Sequence, residues 1–207
     1  MSAIWEWLQK GYLKLVDPLA VALASRGVSP NTITTVGTCC AVGAGVSFGF
    51  GHISIGGWVL GLTAVFDVID GIVARRSGRE TTFGAFYDSS LDRISDGAVL
   101  GGLTVFWASA GARHSVVMVA VCLVAIIGTF LTSYTRARAE ALGLGAKVGL
   151  IQRPERVVLL AAPQALFGLA FDGAILKSIV LFLAVTAWIT VLQRIAYVRR
   201  ATAEVSR

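Results

Sequence analysis

Four aspartates, Asp67, Asp70, Asp88 and Asp92, fall within the stretch FDVIDGIVARRSGRETTFGAFYDSSLDR. Asp67 and Asp70 are three residues apart, and Asp88 and Asp92 four apart. On helices, each pair shares one face. The preceding residues, 27–66, contain no Asp, Glu, Lys or Arg, so the carboxylates border a low-dielectric medium. Converging there, they repel one another unless a cation neutralises them. An all-oxygen donor set suits a hard divalent ion such as Mg²⁺ or Mn²⁺. A polar network that only fixes packing could account for one intramembrane aspartate, but four at these spacings point to a functional divalent-cation site.

The elements that position them follow from composition. The chain has 207 residues, 56% hydrophobic and 14% charged, against about a quarter charged in a soluble domain. Its mean hydropathy is +0.75. This is the composition of an all-α integral membrane protein. Charge-free stretches run over 27–66, 97–112, 114–135, 157–171 and 178–193. The first exceeds the ~20 residues that cross a bilayer and breaks at the glycines of GHISIGG. Six transmembrane helices are predicted, at 31–51, 54–77, 84–110, 114–142, 153–171 and 174–200.

Ahead of them, Trp5, Trp7, Leu8, Tyr12, Leu13 and Leu15 mix with Glu6, Lys10 and Lys14. That pattern predicts an amphipathic helix lying in the interface, bent by Pro18. The reading is one domain over 1–207, with a juxtamembrane helix at 1–27 and a six-helix bundle at 28–207. Lys10, Lys14, Arg26, Arg75, Arg76, Arg79, Lys147, Arg199, Arg200 and Arg207 fall on one side, and Arg113 and Lys177 on the other. The positive-inside rule puts both termini and the aspartates on the cytoplasmic face of the plasma membrane. The net charge of +6 suits a basic face beside anionic lipid and calls for no nucleic acid. Cys39, Cys40 and Cys122 lack metal-ligand spacing.

Asp67, Asp70, Gly71, Ala74, Arg75, Gly84, Asp88 and Asp92 fit D-x2-D-G-x2-A-R-x8-G-x3-D-x3-D at every fixed position. This resembles the signature of the CDP-alcohol phosphatidyltransferases, six-helix membrane enzymes. The resemblance implies that a CDP-linked lipid gives its phosphatidyl group to a hydroxyl and that CMP leaves. It implies Mg²⁺ or Mn²⁺, two ions, on Asp67, Asp70, Asp88 and Asp92, with Asp92 also the general base. Gly71, Ala74, Arg75, Thr81 and Gly84 match positions that contact the CDP-lipid, and so do Asn31, Thr32, Ile33 and Thr34. The latter segment also reads as the capped opening of the first helix.

A second set of charges concerns the acceptor: Arg136 and Arg138 in SYTRARAE, Arg153 and Arg156 in IQRPERV, and Arg194 in VLQR. All five are predicted at the level of the aspartates. A guanidinium fork suits phosphate oxygens, although arginines at helix ends also reach for lipid head groups. These segments are similar to those of phosphatidylinositol phosphate synthases, with Arg136 in place of lysine and Gln152 in place of glutamate. That resemblance implies CDP-diacylglycerol and inositol 1-phosphate as substrates and a homodimer in membrane lipid. Glycerol 3-phosphate is the nearest alternative acceptor, and a divalent-cation transporter is a distant alternative of another class. Gly43, Ala44, Gly45 and Gly49 could support close helix contact, with no indication of which helices meet.

Overall fold

The computed structural model describes residue 11 and residues 16–146 and 148–205. Among these, every regular element is helical: α1 (Val16–Ser25), α2 (Pro30–Gly49), α3 (Ile53–Arg76), α4 (Thr82–Ala108), α5 (Val116–Ala141), α6 (Arg153–Phe167), a 3₁₀ turn (Ala170–Gly173) and α7 (Ala174–Val205). Local chemistry sets the ends. Pro30 occupies the first turn of α2, where its fixed φ suits a helix and its missing N–H costs nothing. The Thr81 hydroxyl accepts from Gly84 N at 2.9 Å and opens α4. Ser115 does the same for Met118, so α5 begins at Val116 rather than at 114. Gln152 and Glu155 form a capping box at α6.

The expected fifth span overshoots, because α6 stops at Phe167 and not at 171. Gly168 has φ +51, and Phe171 and Asp172 are also left-handed, so the chain turns a corner there. Among the described residues, four segments are long and apolar enough to cross a membrane: α2, α3, α5 and Ala170–Ala203. The other two expected spans depart from that pattern for separate reasons. The first 15 residues of α4 carry Asp88, Asp92, Arg93 and Asp96, and α6 has only 15 residues.

The helices pack in a closed ring, α2–α3–α6–α7–α5–α4 and back to α2. The short connection after α3 predicts that α3 and α4 lie side by side. Instead both pack chiefly on α2, and small residues explain why. A Cβ on Gly102 of α4 would meet the Gly45 carbonyl of α2, and one on Gly45 would meet the Ala98 carbonyl. Gly56 of α3 lies under the Phe48 ring of α2. Gly45, Gly49 and the buried Ala44 thus serve contacts within the chain, whereas Gly43 faces open space. Gly102→Val must push two backbones apart, and the expected cost is about 3 kcal/mol or more, at the upper end for overpacking. Thermal unfolding in detergent checks this. An unchanged midpoint would mean that α2 and α4 are not in backbone contact.

One core cluster draws on all six ring helices, among them Phe48, Leu60, Leu103, Cys122, Leu160 and Val180. A second, of Val16, Ala20, Ile33, Ile69, Ile72 and Val73, fastens α1 to α2 and α3. An exposed Arg76–Asp17 pair at 2.6 Å accompanies it. Pro18 lies within α1 without breaking it. The apolar and aromatic residues expected at the interface, Trp5, Trp7, Leu8, Tyr12, Leu13 and Leu15, lie outside the described residues.

Candidate active site

The ring encloses its polar residues near the end where α3 finishes and α4 and α6 begin. Asp70, on α3, is buried, and the Thr34 hydroxyl of α2 donates to its Oδ2 at 2.7 Å. Thr34, expected at the CDP-lipid, therefore steadies an aspartate. Ile33 beside it is core. Arg153, first residue of α6, reaches across the ring. Its Nη1 lies 2.6 Å from Asp67 of α3 and 2.8 Å from Asp92 of α4. Arg93 approaches Asp92 at 3.4 Å. Asp70, Asp88 and Asp92 each feel the charge of another aspartate of the set.

Among the described residues, no three such groups stand close enough to ligate one ion as placed, because Asp67 and Asp92 converge on a guanidinium instead. The residues nonetheless fit a divalent cation in donor type and charge. All four donors are carboxylates, and two of them already share one positive centre.

The beginnings of α2 and α4 meet beside this cluster. A Cβ on Gly84 would lie 3.1 Å from Thr81 Oγ1 and 3.5 Å from Asn31 Oδ1, so the glycine keeps a gap between those two polar groups. The Thr35 and Tyr87 hydroxyls are hydrogen-bonded at 2.9 Å. On α3, a Cβ on Gly71 would come within 3.3 Å of Arg75 Nη1, so Gly71 makes room for that guanidinium. The structure thus brings Asn31, Thr81 and Gly84 together, with Gly71 and Arg75 on the neighbouring helix. Thr32 is exposed and Ala74 half-buried.

The five acceptor arginines do not form one group. Arg153 and Arg156 occupy one face of the first turn of α6, and both are largely buried. Arg194 Nε donates to the Val148 carbonyl at 2.9 Å, and its Nη1 to the Thr132 carbonyl. It therefore ties α7 to α5 and to the chain before α6. Arg136 pairs with Glu140 at 2.9 Å, one helical turn away, and still acts electrostatically on Arg194. Arg138 is exposed, and no described side chain pairs with it.

Sequence reasoning missed Asp96. Its carboxylate lies 3.7 Å from Arg153 Nε and 3.8 Å from Arg156 Nη2. The signal was present, since Asp88, Asp92 and Asp96 repeat at four-residue spacing along one face of α4. With Arg153, Arg156, Ser95, Thr63 and Thr129, Asp96 lines the polar part of a cavity of about 40 Å³ on the ring axis.

Known proteins share this chain's sequence and fold. The chain is 41% identical over 194 residues to the phosphatidylinositol phosphate synthase of Mycobacteroides abscessus, covering 91% of this chain and 85% of that one. The crystal structure of Mycobacterium tuberculosis phosphatidylinositol phosphate synthase with CDP-DAG bound superposes with a TM-score of 0.80 at 34% identity, covering 89% and 94% of the two chains. The same enzyme in complex with manganese and citrate gives 0.79 at 34% identity, covering 88% of each. Residues 27–198 match the family description CDP-alcohol phosphatidyltransferase, a span that contains the aspartate motif and the helical ring up to the last turns of α7. The chain belongs to the CDP-alcohol phosphatidyltransferase family.

Proposed function

We propose that this phosphatidyltransferase uses CDP-diacylglycerol as donor and inositol 1-phosphate as acceptor, giving phosphatidylinositol phosphate and CMP. The observation that carries the acceptor is the pair of largely buried guanidinium groups, Arg153 and Arg156, facing the aspartates from the first turn of α6. Buried cations placed beside a transfer site suit an alcohol that carries a phosphate, whereas a neutral alcohol leaves them without a substrate partner. Membership of an enzyme family replaces the transport reading.

The division of labour follows from the side chains. Asp67, Asp70, Asp88 and Asp92 would hold Mg²⁺ or Mn²⁺, two ions in our reading, a donor set consistent with the manganese complex of the relative. The bound metal would supply charge stabilisation at the pyrophosphate and the departing CMP. Asp92 takes the proton of the attacking hydroxyl, since a neutral alcohol is a poor nucleophile. The new bond joins that oxygen to the phosphatidyl phosphorus, and the bond that breaks leaves its electron pair on CMP. Asn31, Thr32, Ile33, Thr34, Gly71, Ala74, Arg75, Thr81 and Gly84 form the CDP-lipid side. Thr34 acts there through Asp70. Arg153 and Arg156, with Arg136, Arg138 and Arg194 around them, form the acceptor side.

The same reading makes the chain one six-span domain, with both termini and the site at the cytoplasmic face of the plasma membrane, acting as a homodimer. In support, the ring places α4 between α2 and α5, and α6 between α3 and Ala170–Ala203, so each lies between segments able to cross a membrane. Purified enzyme given labelled CDP-diacylglycerol and a panel of acceptors tests the proposal. CMP release is expected with inositol 1-phosphate and not with free inositol or serine. Release with glycerol 3-phosphate alone would overturn the acceptor and keep the reaction.

A further inference from the structure

We infer that Asp96, which lies outside the eight-position motif, is a positioning residue that holds Arg153 and Arg156 for the acceptor's phosphate. The inference rests on the proposed acceptor side and extends it to a residue that touches neither substrate. Among the described residues, Asp96 is the one carboxylate that meets both arginines, at 3.7 Å and 3.8 Å. It lies one turn beyond Asp92 on the same face of α4 and is largely buried, as are both guanidinium groups.

Arg153 is shared among three carboxylates, its Nη1 on Asp67 and Asp92 and its Nε side on Asp96. The first two belong to the candidate metal set, and Asp96 does not. Asp96 is therefore the contact that keeps Arg153 turned toward the cavity however Asp67 and Asp92 are engaged. For Arg156, Asp96 is the one ion-pair partner among the described residues. Arg93 and Arg153 both press their positive charge on Arg156, so the acid also offsets repulsion among three cations.

Both pairs lie beyond hydrogen-bond distance, and Asp96 Oδ2, Arg153 Nε and Arg156 Nε are buried without a hydrogen-bond partner among the described residues. Toward Asp96 the guanidinium groups are thus held by charge alone, and each keeps its Nε–H unspent, as suits groups that must also receive an anion. A residue serving stability alone would be expected to satisfy those donors.

The test separates acceptor from donor kinetics in full-length enzyme. Asp96→Asn is expected to raise the KM for the phosphorylated acceptor about tenfold or more, while the KM for CDP-diacylglycerol stays within about twofold. Asp96→Glu, which keeps the charge and shifts its position, is expected at about threefold on the acceptor KM. Equal changes in both KM values, no change in either, or a Glu variant as impaired as Asn would each overturn the inference. If Asp96→Asn does not accumulate folded, Asp96→Glu carries the test alone, and an acceptor KM equal to wild type overturns it. Should the wild type use glycerol 3-phosphate in place of inositol 1-phosphate, the identity of the acceptor fails. The Asp96 comparison is then read with glycerol 3-phosphate and stands or falls separately.

Discussion

Asp92→Asn is expected to lower CMP release by about 10³-fold or more, within the 10²–10⁴ span of general acid–base catalysis and with one carboxylate lost to the metal set besides. The side chain is 15% exposed and sits under Arg153 Nη1 at 2.8 Å, with Arg93 at 3.4 Å. Asparagine has the same shape and keeps one oxygen able to accept from Arg153, so the helices need not shift. It cannot take a proton from a hydroxyl. The loss should therefore fall on turnover, while binding of labelled CDP-diacylglycerol, read by filter binding, weakens by no more than about tenfold. Turnover above a tenth of wild type would assign the base to another group. Loss of binding in step with turnover would make Asp92 a donor-site residue only.

The aspartates were legible in the sequence because helical spacing and a charge-free approach say the same thing twice. Residues at i and i+3 or i+4 share a face, and carboxylates next to an apolar run need a cation. The helix starts were nearly as legible, each within two residues of its expected position. Of the residues that set them, only those at Pro30 were legible; Thr81, Ser115 and Gln152 with Glu155 emerge from the structure. What could not be read was which helix touches which. The five residues between α3 and α4 suggested direct packing, yet backbone contact at Gly45 and Gly102 sets α2 against α4 and makes α2 the neighbour of both. Glycine spacing announces close approach without naming the partner. The arginines were misgrouped for a related reason. Sequence places a guanidinium at a membrane level, but its long side chain can turn to several neighbours, so Arg153 goes to the aspartates, Arg194 to backbone carbonyls and Arg136 to Glu140. Asp96 was overlooked because it continues the spacing of the motif without belonging to it.

Removing divalent metal is expected to abolish CMP release, by more than about 10³-fold, while leaving the fold largely intact. The two outcomes have different physical origins. The rate depends on charge stabilisation at the pyrophosphate, where several kcal/mol correspond to three or more decades, and a guanidinium fixed on Asp67 and Asp92 leaves Asp70 and Asp88 with no ion-pair partner among the described residues. At this site the fold requires only that those aspartates not face one another bare. Arg153 already supplies one positive charge at 2.6 Å and 2.8 Å, and Thr34 supplies a hydrogen bond to Asp70. Chelation should therefore shift the unfolding midpoint by a few degrees, with Mn²⁺ or Mg²⁺ restoring both midpoint and turnover. Arg153→Gln removes the internal counter-charge, and breaking such a buried pair costs about 3–5 kcal/mol. Its metal-free form should unfold well below the wild type, and added Mn²⁺ should raise its midpoint by more than it raises that of the wild type, because the ion then neutralises carboxylates left with Arg93 alone nearby. Equal metal-induced shifts in the two proteins would mean that Arg153 does not stand in for the ion's charge. A wild type that unfolds on chelation would place the whole burden of keeping the aspartates together on the metal.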